Sequence, residues 1–198
     1  MKYKTREEWL LAAIDCLKPH FKSCGYTIPK KVKVSCGWPF GTRGKVTGEC
    51  WSSIASKGKN IEIFITPAYD DSEAATKEGI LSTLIHELIH ATVGNKCGHK
   101  GPFKQAFKKL GLTGKVKASV ASPELCEVLE SVAKKLGSFP HKALKFKGRP
   151  KKKQTTRLLK VGCPKCDYIV RVTRIHLEEK GAPLCPIHKV AFKEIDNE

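Results

Sequence analysis

The sequence predicts an α+β domain followed by a small β module organised around metal, and three observations carry that expectation. Segments with helical periodicity alternate with short strand-like runs over the first 140 residues. A His-Glu-x-x-His motif lies in the most apolar helical segment, and two short knuckles carrying Cys and His fall in the last quarter. The predicted boundaries are a domain over 1–140, a basic linker over 141–157 and a zinc ribbon over 158–198.

Thr5 with Glu8 forms a capping box, and Trp9, Ala13, Cys16 and Leu17 follow at helical spacing, predicting a first helix that bends or ends near Pro19. Val32 and Val34 favour a strand. The stretch 37–48 is rich in Gly and basic residues and reads as a loop. Residues 49–54, a turn at 57–60 and Ile61–Thr66 read as a hairpin, with Ile61, Ile63 and Ile65 on one face. A long helix capped by Asp71 or Ser72 runs to about Val93, where Gly94 stops it. Pro102 opens another helix that ends before Gly111, and Ser122-Pro123 opens a third that ends before Gly137.

Charge is distributed unevenly. Of the net +18, residues up to Gly94 supply only +3, from 13 Lys and Arg against 10 Asp and Glu. Between Glu130 and Asp167 there are 12 basic residues and no acidic one. Such a concentration predicts attraction to a polyanion, with DNA the leading partner. No apolar run approaches the roughly 20 residues needed to span a bilayer, so no membrane partner is expected. Glu7, Glu8 and Asp15 interrupt the apolar part of the N-terminus, which reads as an uncleaved amphipathic helix of a cytoplasmic protein expected to be a monomer. Nine cysteines, an odd number, argue against a disulfide framework.

His86-Glu87-Leu88-Ile89-His90 places two imidazoles one above the other on a helix, where both can reach one metal ion. Glu87 stands at the edge of that face and can take a proton from water activated by the metal, which is peptide hydrolysis chemistry. Two histidines and a carboxylate without partners would be costly in so apolar a helix. A third ligand is needed, and His99 is the first candidate. Cys97 and the later Glu124, Glu127 and Glu130 remain open, while Val93 and Lys96 occupy the positions where a metzincin needs Gly and a ligand.

HELIHATVG followed by GHKGPFKQAFKKLGL resembles the SprT/Spartan-like metallopeptidases, and the resemblance extends to GYTIPKKVKVSCGW, GECW and IEIFITPA. It covers nearly the whole chain and is closest to small bacterial and phage members. It implies a zincin-like α+β fold, zinc ligands His86, His90 and His99, Glu87 as catalytic acid/base, and protein substrates bound or crosslinked to DNA. It also implies an edge strand beside the motif helix that holds an extended peptide, a place Ile61–Thr66 is expected to fill. Lys100-Gly101 after His99 departs from relatives that often have Gly there. Tyr69 and Arg43 are the candidates for stabilising the oxyanion.

Cys163-Pro-Lys-Cys166, 18 intervening residues and Cys185-Pro-Ile-His188 have the spacing of a zinc ribbon. Four ligands would close the shell of a structural zinc, making two zinc ions per chain. SprT-like ribbons commonly carry four cysteines, so His188 is a departure. His176 is the competing fourth ligand. Lys151, Lys152, Lys153, Arg157, Lys160, Lys165, Arg171 and Arg174 form the expected DNA-binding surface, with Tyr168 as a stacking residue. The alternative function is a non-catalytic zinc-containing DNA-binding protein.

Overall fold

The computed structural model describes residues 2–40, 46–145 and 158–195 and shows a mixed α+β chain. It divides into two compact units, Met1–Gly148 and Arg149–Glu198. None of the described helices is long and apolar enough to cross a membrane.

The first unit opens with α1 (Arg6–Ser23). Thr5 Oγ1 accepts from the N–H of Glu8 (3.1 Å), and Glu8 accepts from the N–H groups of Lys4 and Thr5, so the predicted box forms. The helix does not end at Pro19. Leu17 and Phe21, on either side of it, are fully buried, and their packing carries the helix another turn.

Three strands follow: β1 (Val32–Cys36), β2 (Gly48–Trp51) and β3 (Ile61–Ile65). Their order is β1-β3-β2, with β1 parallel and β2 antiparallel to β3. The expected hairpin therefore exists, although β2 stops at Trp51 because residues 52–54 turn away. The Ile61–Ile65 strand is central, not an edge. Ile63 and Ile65 are buried on its helix-facing side while both its backbone sides are paired, and the edge beside the motif helix is β2.

The motif helix α2 spans Ile80–Val93, seven or eight residues shorter at its start than expected. Neither Asp71 nor Ser72 caps it; Asp70 instead accepts from the N–H of Ser72 (3.0 Å) and caps a single 3-10 turn over Asp71–Glu73. The chain then folds back so closely that a side chain at Gly79 would strike the Glu73 carbonyl, and α2 begins afresh from there. Ile80 to Ile89 are all buried. α3 (Pro102–Lys109) packs on α2 through Phe103, Ala106 and Phe107.

A hairpin that the sequence did not announce, β4 (Leu112–Lys115) with β5 (Ala118–Ala121), lies beside α2. α4 (Pro123–Leu136) begins where Ser122 Oγ accepts from the N–H of Leu125 and packs on α1. The Trp9 indole N–H donates to the Gly137 carbonyl (2.9 Å). The unit continues past residue 140, where His141 Nε2 lies 3.0 Å from the Pro67 carbonyl and the Leu144 N–H donates to that same carbonyl (2.8 Å).

The second unit contains β6 (Leu158–Gly162), β7 (Ile169–Thr173), α5 (Arg174–Lys180) and β8 (Lys193–Glu194), with sheet order β7-β6-β8. Among the described residues its fully buried apolar core is Val161, Cys163, Cys185 and Phe192. A core that small needs a staple.

Candidate metal centre and cleft

α2 sets His86 and His90 one turn apart on the same face. At its end Gly94 and Gly98, at φ +85° and +51°, allow the chain to turn back in a conformation unfavourable to other residues. The turn presents His99 to the helix. Its Nε2 lies 3.2 Å from Nε2 of His86 and 3.2 Å from Nε2 of His90. A tetrahedral ion with Zn–N bonds of about 2.0–2.1 Å places its nitrogens about 3.3–3.4 Å apart, so the three imidazoles fit a divalent cation. Phe103 forms the floor, its ring centroid 4.3, 4.9 and 5.1 Å from those of His90, His99 and His86.

The electrostatics favour the ligand form. Burial, then the neighbouring His90 and His99, bring His86 down to about 3. Burial, then His99, bring His90 down to about 4. His99 is lowered by burial and by the Lys117 ammonium. All three are neutral at pH 7 with lone pairs available. His86 Nδ1 lies 3.2 Å from Ser119 Oγ on β5, a contact that orients the ring, whereas the buried His90 Nδ1 has no hydrogen-bond partner among the described residues.

Glu87 is 5% exposed, and its carboxylate makes no hydrogen bond or ion pair among the described residues. Burial, then the Glu49 carboxylate, push its pKa up to about 8 in the metal-free chain. A cation beside it would act in the opposite sense. Gly48 lies directly against it. A Cβ there would come within 2.6 Å of Glu87 Oε1 and 2.8 Å of Thr83 Cγ2, so β2 crosses the helix where only glycine fits.

These groups open on a cleft of about 960 Å³. One wall is Thr47, Gly48, Glu49 and Cys50 of the β2 edge, and the other is Lys117, Ala118 and Ser119. Asn95, from the turn that delivers His99, donates its amide to the Cys50 carbonyl (2.7 Å) and so ties the turn to the edge strand. Tyr69 stands in the cleft wall, but its hydroxyl donates to the Glu78 carbonyl (2.7 Å) and meets Thr83 Oγ1 at 3.1 Å. Its one proton is committed. Arg43 lies outside the described residues. Cys97 and Glu124, Glu127 and Glu130 do not join the metal cluster: the Cys97 thiol donates to the Gly94 carbonyl, and the three carboxylates are exposed on α4.

Sequence reasoning had no access to Gly48, Ser119 or Asn95 as parts of this site. Gly48 alone left a trace, as a glycine opening a strand, which often marks a close backbone approach.

In the second unit Cys163, Cys166, Cys185 and His188 converge, with their ligand atoms within 4.8 Å of one another. His188 Nδ1 lies 3.6 Å from Cys163 Sγ and 3.7 Å from Cys185 Sγ, and the Cys166 and Cys185 sulfurs are 3.9 Å apart. Those separations suit one tetrahedral ion with Zn–S bonds of about 2.3 Å. The Lys165 N–H donates to Cys163 Sγ, as a knuckle backbone does toward a thiolate. His176 lies outside the cluster, with Nδ1 2.9 Å from Thr173 Oγ1 at the start of α5.

Of the expected DNA-binding residues, Lys151, Lys152, Lys153 and Arg157 lie outside the described residues. Lys160 and Arg171 are cross-strand partners on β6 and β7, and Lys165 is exposed on its knuckle. Arg174 pairs with Glu194 (3.3 Å). Tyr168 is 45% exposed and packs edge-on against Phe192. No family model, curated protein or solved structure matches the chain.

Proposed function

We propose that the chain is a zinc metallopeptidase of zincin-like build, akin to the SprT/Spartan-like enzymes, acting in the cytoplasm on proteins bound or crosslinked to DNA. One observation carries the reading: three imidazole nitrogens, a buried carboxylate without a partner among the described residues and the outer strand of the sheet meet in one cleft. A purely structural metal site has no use for that carboxylate or that edge.

Zinc held by His86, His90 and His99 would supply a Lewis acid for the scissile carbonyl and for water. Glu87, adjacent and unpaired, takes the proton from that water and returns it to the departing amine. Its burial in the wall beside Gly48 fixes where the proton is received. Apart from the Cys50 carbonyl, which Asn95 holds, the outward N–H and C=O groups of β2 are offered to an extended substrate segment, fixing its direction in the cleft. The second unit would hold a structural zinc on Cys163, Cys166, Cys185 and His188. Lys160, Lys165 and Arg171 support DNA contact by charge, without base readout.

The test is elemental analysis of the wild type, His99→Ala and Glu87→Gln, joined to cleavage assays on a DNA-bound protein. We expect two zinc ions per chain in wild type and Glu87→Gln, and one in His99→Ala. Glu87→Gln should lose about 10²–10⁴-fold in rate while keeping both metals. Zinc-loaded wild type that cuts nothing, with or without DNA, would leave a DNA-binding zinc protein instead.

A further inference from the structure

The three-stranded sheet has a second face that the helices do not use. Gly48 meets α2, so its neighbours Glu49 and Trp51 alternate to the opposite side of β2. The register sets Glu49 beside Phe64 and Trp51 beside Glu62, a checkerboard of two carboxylates and two aromatic rings. Trp38 and Phe40 rise from the segment after β1, and Ala55 and Ser56 close the far end. Together they enclose a groove of about 430 Å³. Two of the chain's three tryptophans are here, Phe40 is 79% exposed and Trp51 is 39% exposed.

Apolar walls alone would suit any greasy occupant, but the carboxylates narrow the choice. Glu49 accepts the Phe40 N–H at one oxygen (2.9 Å), and Glu62 accepts no hydrogen bond among the described residues. Neither forms an ion pair there, although Lys33 is the register partner of Glu62 on β1. Aromatic faces and carboxylates both attract cations and both disfavour phosphate. In a chain of net charge +18 this negative, ring-lined groove stands apart.

We propose that the groove binds the lysine or arginine side chain of a polypeptide laid along the free edge of β2. Glu49 lines both the cleft and the groove, so the two adjoin at that residue. A strand added to β2 turns alternate side chains toward the groove face. The aliphatic stem then lies along Trp51 and Phe64, with the charged head between Glu49 and Glu62. The placement along β2 rests on the peptidase reading, while the binding of a cation by the groove does not.

The experiment uses the full chain carrying Glu87→Gln, so that nothing is cut, and a nine-residue Gly/Ser/Ala peptide with one central lysine. Its counterpart carries Nε-acetyl-lysine. Tryptophan fluorescence reports the groove, since Trp9 is fully buried. The lysine peptide should bind about tenfold more tightly than the acetylated one. Adding Glu62→Gln, an isosteric change outside the cleft, or Trp51→Ala should erase that preference with zinc content unchanged. Equal affinity for the two peptides overturns the proposal. So does a preference that survives both variants, or quenching by a single-stranded oligonucleotide that Trp51→Ala abolishes. A wild type that binds the lysine peptide but cuts no protein would sink the peptidase reading and leave the groove standing.

Discussion

Gly48 concentrates several constraints in one residue. Replacing its hydrogen with a methyl group forces Glu87 or Thr83 to move, because the added carbon would come within 2.6 Å of Glu87 Oε1 and 2.8 Å of Thr83 Cγ2. Gly48→Ala should cost about 1–3 kcal/mol as an overpacked site and displace the carboxylate. We expect a lower melting temperature, and cleavage that falls much further than zinc content does. The thiols make a separate prediction. Burial, opposed in part by Arg6, leaves the Cys36 pKa raised to about 11, and burial with Glu87 pushes Cys50 up to about 12, from an ordinary 9.0. Folding thus holds protons that the unfolded chain releases above pH 9, so these groups favour the fold below that pH. The advantage is lost as pH rises toward 11 and 12. Alkaline melting curves should show stability declining from about pH 9, and alkylation at pH 7.5 should spare both thiols until the protein unfolds.

Elements were legible where local chemistry and tertiary packing agree. The capping box of α1, the Pro starts of α3 and α4 and the Gly94 stop of α2 all appear where the sequence signals them. The misses have physical causes. Asp70 caps a turn that Gly79 then breaks, and a capping signal cannot say how long its helix runs. Strand order is a nonlocal property. Nothing in Ile61–Ile65 reveals that β1 arrives on its other side, so local sequence cannot distinguish this central strand from an edge. His86, His90 and Glu87 were readable because one helix spaces them, and His99 because glycines precede it. Ser119 and Asn95 were not, since their roles depend on where a hairpin and a strand come to rest. Asn95→Ala should release the Cys50 carbonyl from its tie at about 1 kcal/mol. Peptide KM is expected to rise severalfold with zinc still bound, and unchanged KM would show that the tie does not position the edge.

At the scale of the whole molecule the two units differ in what holds them. The first has an extensive core running from Trp9 to Phe139, while among the described residues the second fully buries only Val161, Phe192 and two of the clustered cysteines, Cys163 and Cys185. A strong chelator should therefore melt the second unit and leave the first folded, seen as selective loss of amide protection over 158–195. DNA affinity should fall steeply with salt, and each charge-removing substitution among Lys160, Lys165 and Arg171 that deletes a phosphate contact should lower the log–log slope by about one.

The edge of β2 is four residues long, from Gly48 to Trp51, and spans only about 13 Å of extended chain. A segment that pairs with it must first surrender its own hydrogen bonds. Compact proteins keep theirs except during brief local opening, so their vulnerability would track the equilibrium population of the opened form. Two targets with the same cleavable segment would then be consumed at rates set by their own folding stability. The brevity of one strand would leave well-folded bystanders intact, with no need for a recognition sequence to protect them.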